Sequence, residues 1–280
     1  MRDFAFGQYY PTNSPVHRLD SRIKLLLLIL LVVFIFFIYS FAAYAALALF
    51  VLSTTLASKV PLRSLLKSIR GVLFLVIFIF LMQLFMHGGE TVWAEWWIFT
   101  VTRESVVFGA FVALRLVLLV MTTALLSLTT SPTQLTDGFE SLMYPLRIVK
   151  FPVNDVALIM GMALRFIPTL IEETDKIIMA QKARGSGFDT GGLIKKAKAM
   201  LPILIPLFVS AFRRADELAD ALDARCYNVS PRRTKMRSMK LRLADLAAVL
   251  VVGLLITFIM FDRYYFGGLD GYIWNFFATL

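Results

Sequence analysis

The sequence has 280 residues, of which 59% are hydrophobic and 17% are charged, whereas soluble domains average roughly 45–50% apolar and 25% charged. This composition excludes an ordinary soluble domain and places the chain in a membrane. The net charge of +10 does not indicate nucleic-acid binding, because the basic residues lie mainly beside apolar segments, where lipid headgroups and a protein partner are better explanations.

The segment before the first apolar stretch is polar and more than twenty residues long. No small-residue cleavage site follows a short apolar core, so a removable signal peptide is not expected. The single cysteine, Cys226, cannot form an internal disulfide, and no Cys/His cluster has metal-ligand spacing. We therefore expect neither a metal nor a cofactor to be bound by this chain.

An uncharged segment between Lys24 and Lys59 predicts the first two membrane helices. A single helix of that length would measure about 50 Å, whereas the hydrocarbon core of a bilayer is about 30 Å thick. We therefore predict two antiparallel helices joined by a tight turn near Tyr39 and Ser40.

Three further spans are predicted at about 71–86, 105–130 and 243–261, which gives five in total. Only Arg115 interrupts the fourth span. Because an intramembrane charge is costly, a functional role is the default hypothesis for this residue. The alternatives are a side chain that snorkels to the interface or one that pairs within the helix bundle.

Clusters of Lys and Arg define the expected orientation. They precede the first span and connect the second span to the third, so the positive-inside rule places both clusters and the N-terminus in the cytoplasm. The connection at 87–104 contains three tryptophans and a single basic residue, Arg103, which is typical of an outer loop. Five crossings then place the C-terminal tail outside.

The region 131–242 holds 18 of the 29 Lys and Arg residues and lies inside under this topology. From Val153 onward, apolar residues recur at helical spacing, which predicts a long amphipathic helix that ends near Arg184, with Gly185, Ser186 and Gly187 as its stop signal. A second amphipathic helix is predicted to end near Arg225.

Three prolines fall within these two predicted helices. Pro168 lies in the first helix, and Pro202 and Pro206 lie near the beginning of the second. Each proline removes a backbone donor and crowds the preceding turn, so all three are predicted to act as kinks or hinges, and Pro202 and Pro206 to kink or divide the beginning of the second helix.

The ends of the two amphipathic helices repeat one another. Ala183 and Arg184 recur as Ala224 and Arg225, and the same sequence offset relates Asp175 and Ala180 to Asp216 and Ala221. A basic residue at a helix C-terminus can simply complement the macrodipole, worth typically about 0.3–1 kcal/mol. The matched pair instead favours two equivalent docking devices, because a guanidinium makes forked hydrogen bonds to carboxylates and carbonyls.

The two motifs are Ala183-Arg184-Gly185 and Ala224-Arg225-Cys226. They resemble the X-Arg-X motifs, commonly Ala-Arg-Gly, that end the coupling helices of the transmembrane T component of energy-coupling factor (ECF) transporters, the EcfT/CbiQ family. The run from Tyr10 to Lys24 is also similar to the segment that precedes the first span in this family, so the resemblance covers nearly the whole chain. Cys226 departs from the commoner glycine, which weakens the case for a positive φ there, although the central arginine is present.

The resemblance implies an all-α polytopic membrane protein with about five transmembrane helices and long amphipathic cytoplasmic coupling helices. It divides the chain into an N-terminal membrane region at 1–130, a coupling-helix region at 131–242, and a C-terminal transmembrane helix with an outer tail at 243–280. The implied partners are two ABC ATPases of the EcfA and EcfA′ type, which bind the ATP and Mg, and a substrate-binding S component. Arg184 and Arg225 would each dock on one ATPase.

This resemblance implies a non-catalytic coupling subunit for the uptake of a vitamin or transition metal into a prokaryotic cell. The main alternative is a self-contained secondary transporter or channel, which would require a midplane site built from broken helices or polar side chains. A membrane enzyme would need clustered ionisable groups, which the spans scarcely supply. The sequence also contains no P-loop, so no nucleotide site is expected in this chain.

Overall fold

The computed structural model describes residues 9–38, 40–86, 92–96, 99–185, 193–227 and 242–265. These residues form eight α-helices, a 3-10 helix and a two-stranded hairpin. The α-helices are α1 (Ser21–Ile35), α2 (Phe41–Ser58), α3 (Leu62–Met86), α4 (Arg103–Thr129), α5 (Pro132–Leu142), α6 (Val153–Ala183), α7 (Leu193–Ala224) and α8 (Leu243–Tyr265). The strands are β1 (Val92–Trp96) and β2 (Phe99–Thr102), and the 3-10 helix is Tyr144–Val149.

The chain forms two compact units. One unit combines residues 1–142 with 238–280, and the other contains residues 143–237. The predicted coupling-helix region begins at residue 131, whereas α5 packs against α1 in the first unit. A Cβ added to Gly138 of α5 would lie 3.1 Å from the Leu25 side chain and 3.3 Å from the Ser21 backbone, so glycine permits this close approach.

The predicted turn between the first two helices is confirmed, since α1 ends at Ile35 and α2 begins at Phe41. The side chain of Ser40 accepts a hydrogen bond from the amide of Ala42 and caps α2, while Tyr39 lies outside the described residues. Helix α1 has 15 residues and is about 22 Å long, which is shorter than the hydrocarbon core.

Five helices are long and apolar enough to cross a membrane, as judged by length and composition alone: α2, α3, α4, α6 and α8. The predicted number of five candidate spans is confirmed, but the set of helices differs from the prediction. It includes α6, which was predicted as a cytoplasmic amphipathic helix, and it does not include α1. Helix α1 falls short because the chain turns after Ile35, whereas the 31-residue α6 contains a sufficiently apolar window. The broadly exposed apolar face of α3, where Phe74 is 80% exposed, suits contact with lipid.

The core of the first unit is a cluster of buried apolar side chains from four helices. Leu31 and Ile35 of α1, Tyr44 and Leu47 of α2, Leu118 of α4, and Val252 and Ile259 of α8 belong to it. Hydroxyl groups inside the bundle are satisfied locally, because Thr55 and Thr122 donate to backbone carbonyls four residues earlier. Threonines can therefore be buried here without an unpaired polar atom.

The N-terminal segment is fixed to the bundle by polar contacts. Asp20 caps α1 by accepting a hydrogen bond from the amide of Arg22. Lys24 is buried, and its Nζ lies 3.0 Å from the carbonyl oxygen of Thr129 at the C-terminal end of α4, where carbonyls lack intrahelical donors. Asp245 of α8 accepts hydrogen bonds from the amides of Asp20 and Arg242 at 2.8 Å and 2.7 Å.

A short hairpin lies in the connection that the sequence analysis described only as an outer loop. Strands β1 and β2 are antiparallel, with Val92 opposite Thr102 and Trp96 opposite Phe99. Thr102 and Ser105 then form a reciprocal capping box at the start of α4. Strands of five and four residues are too short for the alternation of apolar and polar residues to predict them from the sequence.

Candidate functional site

The first predicted docking motif lies at the C-terminal end of α6, as expected from the sequence. Helix α6 ends at Ala183, Arg184 is the capping residue, and the amide of Gly185 donates to the carbonyl oxygen of Lys182 at 3.0 Å. Gly185 has a φ of 85°, a left-handed conformation that glycine adopts without steric cost. The next two residues of the predicted stop signal, Ser186 and Gly187, lie outside the described residues.

The second motif ends α7 in the same manner. Helix α7 ends at Ala224, and Cys226 has a φ of 54°, so it is left-handed although it is not glycine. The amides of Cys226 and Tyr227 donate to the carbonyl oxygens of Asp223 and Leu222, both at 2.9 Å. This is a complete Schellman motif, and the hydrogen bonds hold Cys226 in a conformation that its side chain disfavours.

Both arginine tips are accessible. Arg184 and Arg225 are exposed, and so are Ala183 and Ala224 beside them. Within the described part of the chain, neither guanidinium lies in an ion pair with a carboxylate. Each tip therefore offers a planar cation with small neighbours that allow close approach of another backbone.

The difference between Gly185 and Cys226 leads to a pair of opposite predictions. Gly185→Ala is expected to destabilise the end of α6 by about 1 kcal/mol, because a Cβ has open space there but the left-handed backbone is strained. Cys226→Gly is expected to stabilise the end of α7 by a similar amount, offset in part by greater freedom of the unfolded chain.

Hydrogen exchange of the last-turn amides in the two variants measures both effects. Faster exchange near 181–185 in Gly185→Ala and slower exchange near 222–227 in Cys226→Gly are the expected results. Faster exchange in the Cys226→Gly variant would show that the left-handed conformation of residue 226 does not strain the helix end.

Helices α6 and α7 contact each other in an antiparallel sense. Glu173 of α6 accepts hydrogen bonds from Arg214, whose Nη2 lies 2.9 Å from Oε2, and from the hydroxyl of Ser210. Gln181, nearer the end of α6, donates from Nε2 to the carbonyl oxygen of Pro202, nearer the start of α7, at 3.3 Å. The two arginine tips consequently lie at opposite ends of the helix pair.

The three prolines predicted as kinks or hinges lie within helices that continue through them. Pro168 lies inside α6, and Pro202 and Pro206 lie inside α7, which is not divided at either position. Pro206 has no amide hydrogen, so the carbonyl of Pro202, four residues earlier, lacks its helical donor. The Nε2 of Gln181 supplies a donor to that carbonyl, so the cost of the proline is reduced by the neighbouring helix.

Arg115 pairs within the helix bundle, which was one of the three hypotheses for this residue, beside a functional role and snorkelling to the interface. Its Nε donates to the hydroxyl of Tyr44 and its Nη2 to the carbonyl oxygen of Ile38, both at 3.0 Å. The guanidinium also lies 5.9 Å from the centre of the Phe36 ring. Arg115 thus stabilises the turn between α1 and α2, because it donates to the Ile38 carbonyl, which also accepts from the Tyr44 hydroxyl at 3.4 Å.

A cavity of about 410 Å³ lies between α1, α2, α4 and α8 and is almost entirely apolar. Lys24 is the charged residue of its wall, and its ammonium is bonded to the Thr129 carbonyl. A midplane transport site would be expected to bring together several polar groups or broken helices. The described wall of this cavity offers a lysine engaged in the fold and a few threonine and serine hydroxyls.

Four residues of these arrangements were missed by the sequence reasoning: Glu173, Gln181, Ser210 and Asp245. The internal repeat contained a signal for the first, because it aligns Glu173 with Arg214, two opposite charges at equivalent positions. No local pattern marks the others. Apart from the Arg242 amide, which lies three positions before Asp245, their partners are hydrogen-bonding groups on distant parts of the chain.

Comparison with known proteins supports the resemblance seen in the motifs. The family model CbiQ, described as cobalt transport protein, matches residues 12–236. The chain is 42% identical over 258 residues to the energy-coupling factor transporter transmembrane protein EcfT of Ruminiclostridium cellulolyticum, covering 92% of this chain and 95% of the relative.

Two further EcfT proteins show the same extent of similarity. The protein from Brevibacillus brevis is 45% identical over 258 residues, covering 92% of this chain and 97% of the relative. The protein from Bacillus subtilis is 41% identical over 264 residues, covering 94% of this chain and 99% of the relative. Together with the apolar helices, these similarities show that the chain is a multi-pass membrane protein that belongs to the EcfT/CbiQ family, the transmembrane T components of energy-coupling factor transporters.

Proposed function

We propose that this chain is the coupling subunit of an ECF-type ABC importer, joining two cytoplasmic ATPases to a substrate-binding S component. The observation that carries the proposal is the pair of arginine-tipped helix ends. Both have a left-handed third residue, both are exposed, and they lie at opposite ends of α6 and α7. This arrangement provides one equivalent contact for each member of a two-ATPase motor.

Arg184 and Arg225 are the residues that dock the ATPases in this proposal, and Ala183, Gly185, Ala224 and Cys226 shape the surfaces around them. An exposed guanidinium can form two parallel hydrogen bonds with a carboxylate or with carbonyls in a groove of the ATPase. The motif residues hold each arginine at the end of a rigid helix. Motion of either ATPase is therefore transmitted along α6 or α7 rather than lost in a flexible loop.

The chemistry of ATP hydrolysis belongs to the partners in this proposal, which bind the ATP and Mg. This chain supplies a lever, and movement of α6 and α7 changes the surface offered to the S component. Pro168, Pro202 and Pro206 act as hinges for that movement, since each interrupts the regular hydrogen-bond ladder of its helix. The S component selects the vitamin or transition metal.

The proposed orientation places the N-terminus and the arginine motifs in the cytoplasm, where the ATPases are. The concentration of Lys and Arg at 131–242 supports this orientation through the positive-inside rule. The C-terminal tail at 266–280, assigned to the outside, lies beyond the described residues.

Purification of the tagged chain from its native membrane in mild detergent tests the proposal. The expected result is recovery of two ATPases and a small membrane protein with the chain, and ATP-dependent uptake after the complex is reconstituted in vesicles. Recovery of the chain alone, with uptake that needs no ATPase, would instead support a self-contained secondary transporter.

A further inference from the structure

The contact between Glu173 and Arg214 has a special place in the internal repeat. The sequence offset that relates Arg184 to Arg225 also relates Glu173 to Arg214. These two equivalent residues contact each other directly, with Nη2 and Oε2 separated by 2.9 Å. The contact therefore joins one position of the repeat to its own counterpart.

Such a contact is the one expected at a local twofold axis between the two repeat segments. When two equivalent helices pack antiparallel, a twofold axis relates them, and only residues on that axis meet their own counterparts. In a symmetric dimer of identical helices, a charged residue at this position would face a like charge. A repeat within one chain removes this restriction, and here the two copies carry opposite charges.

We call the segments from the ion pair to the arginine tips, 173–184 of α6 and 214–225 of α7, the two arms. They have equal length, because Arg184 follows Glu173 by the same number of positions as Arg225 follows Arg214. At the helical rise of about 1.5 Å for each position, each arginine lies about 16 Å along its helix from the ion pair, and the two tips point in opposite directions. A slip of one position between the helices would change the separation of the tips by about 1.5 Å.

We propose that Glu173 and Arg214 form the pivot at which α6 and α7 cross, and that they are positioning residues for the coupling of the two ATPases. The role of the two arms in coupling rests on the proposed function. The crossing of α6 and α7 at Glu173 and Arg214 does not depend on it, because it involves this chain alone. Both side chains are partly exposed, at 24% and 32%, so the ion pair adds little to overall stability. Its effect is to select one register and one crossing point, as polar residues do in helical coiled coils.

A charge-swap series tests the pivot in the full complex. Glu173→Arg and Arg214→Glu each place two like charges at the crossing, whereas the double variant restores an ion pair of reversed polarity. Each single variant is expected to reduce ATP-dependent uptake about fivefold while the ATPases still co-purify, and the double variant is expected to recover most of the uptake. Arg213→Glu, a reversal at the exposed neighbouring residue, is the matched control and is expected to leave uptake unchanged.

A distance measurement separates the pivot from the coupling function. Spin labels at Met179→Cys and Asp220→Cys, two exposed and equivalent positions, report the relation of the arms in a Cys226→Gly background. A narrow distance distribution should broaden in each single charge variant and narrow again in the charge-swapped chain. This result does not require an ATPase, so it stands even if the proposed docking of the ATPases fails.

Two outcomes would overturn the pivot. One is an unchanged distance distribution in both single variants, which would show that the ion pair does not set the crossing. The other is a charge-swapped chain that remains as impaired as the single variants in uptake and in distance. Recovery of both readouts, in contrast, cannot arise from a merely local loss of helix stability.

Discussion

Reversing the charge of both tips, with Arg184→Glu and Arg225→Glu in one chain, is expected to abolish co-purification of the ATPases. A guanidinium docked in a groove is largely desolvated, and replacing it by a carboxylate leaves the groups of the groove unpaired or repelled. Truncating one partner of such a charge pair costs about 2–5 kcal/mol, and two independent tips roughly double the loss. The affinity of the chain for the ATPases should then be too low for the complex to survive purification in detergent.

The lysine variants of the same residues separate charge from shape. Arg184→Lys and Arg225→Lys retain the positive charge but lose the planar fork, so partial retention of the ATPases is expected. Arg165→Glu with Arg213→Glu is a matched control, because it reverses one exposed arginine in each helix away from the tips. Full retention of both ATPases by the Arg184→Glu, Arg225→Glu chain would refute the docking role.

Replacing Asp245 is expected to have the second-largest effect, on the stability of the first unit. This residue is only 2% exposed, and its carboxylate accepts from the amides of Asp20 and Arg242, which ties the starts of α1 and α8 together. Asp245→Ala removes both acceptors at once. A fully buried unsatisfied donor costs about 1–3 kcal/mol, and both of these amides are only partly buried, so a total loss of about 1–3 kcal/mol is expected.

Thermal unfolding of the purified chain in detergent measures this effect. Asp245→Asn is the matched control, because the amide keeps one oxygen acceptor at nearly the same size and should cost less than Asp245→Ala. Equal midpoints for the wild type and Asp245→Ala would contradict the proposed tie between α1 and α8. Limited proteolysis should cleave the N-terminal segment slowest in the wild type, faster in Asp245→Asn and fastest in Asp245→Ala.

The turn between α1 and α2 shows where sequence reasoning was sufficient and where it failed. An uncharged segment too long for one crossing required a break, and the break lies at the predicted place. The sequence did not show that α1 would be only 15 residues long, or that Arg115 of α4 would donate to the Ile38 carbonyl in this turn. That contact joins residues 77 positions apart, and no helical or strand period connects them.

The sequence by itself determined the membrane class, the two amphipathic helices and the places where they end beside Arg184 and Arg225. These features are local, since hydrophobic periodicity and stop signals act within a few turns of one helix. Only the structure showed that Cys226 is left-handed, which the local hydrogen bonds at the end of α7 enforce, and only the tertiary packing decided that Glu173 meets Arg214 and that Asp245 accepts from Asp20. The last two pairings depend on packing between segments far apart in the chain, and the energy of such contacts exists only once the helices have come together.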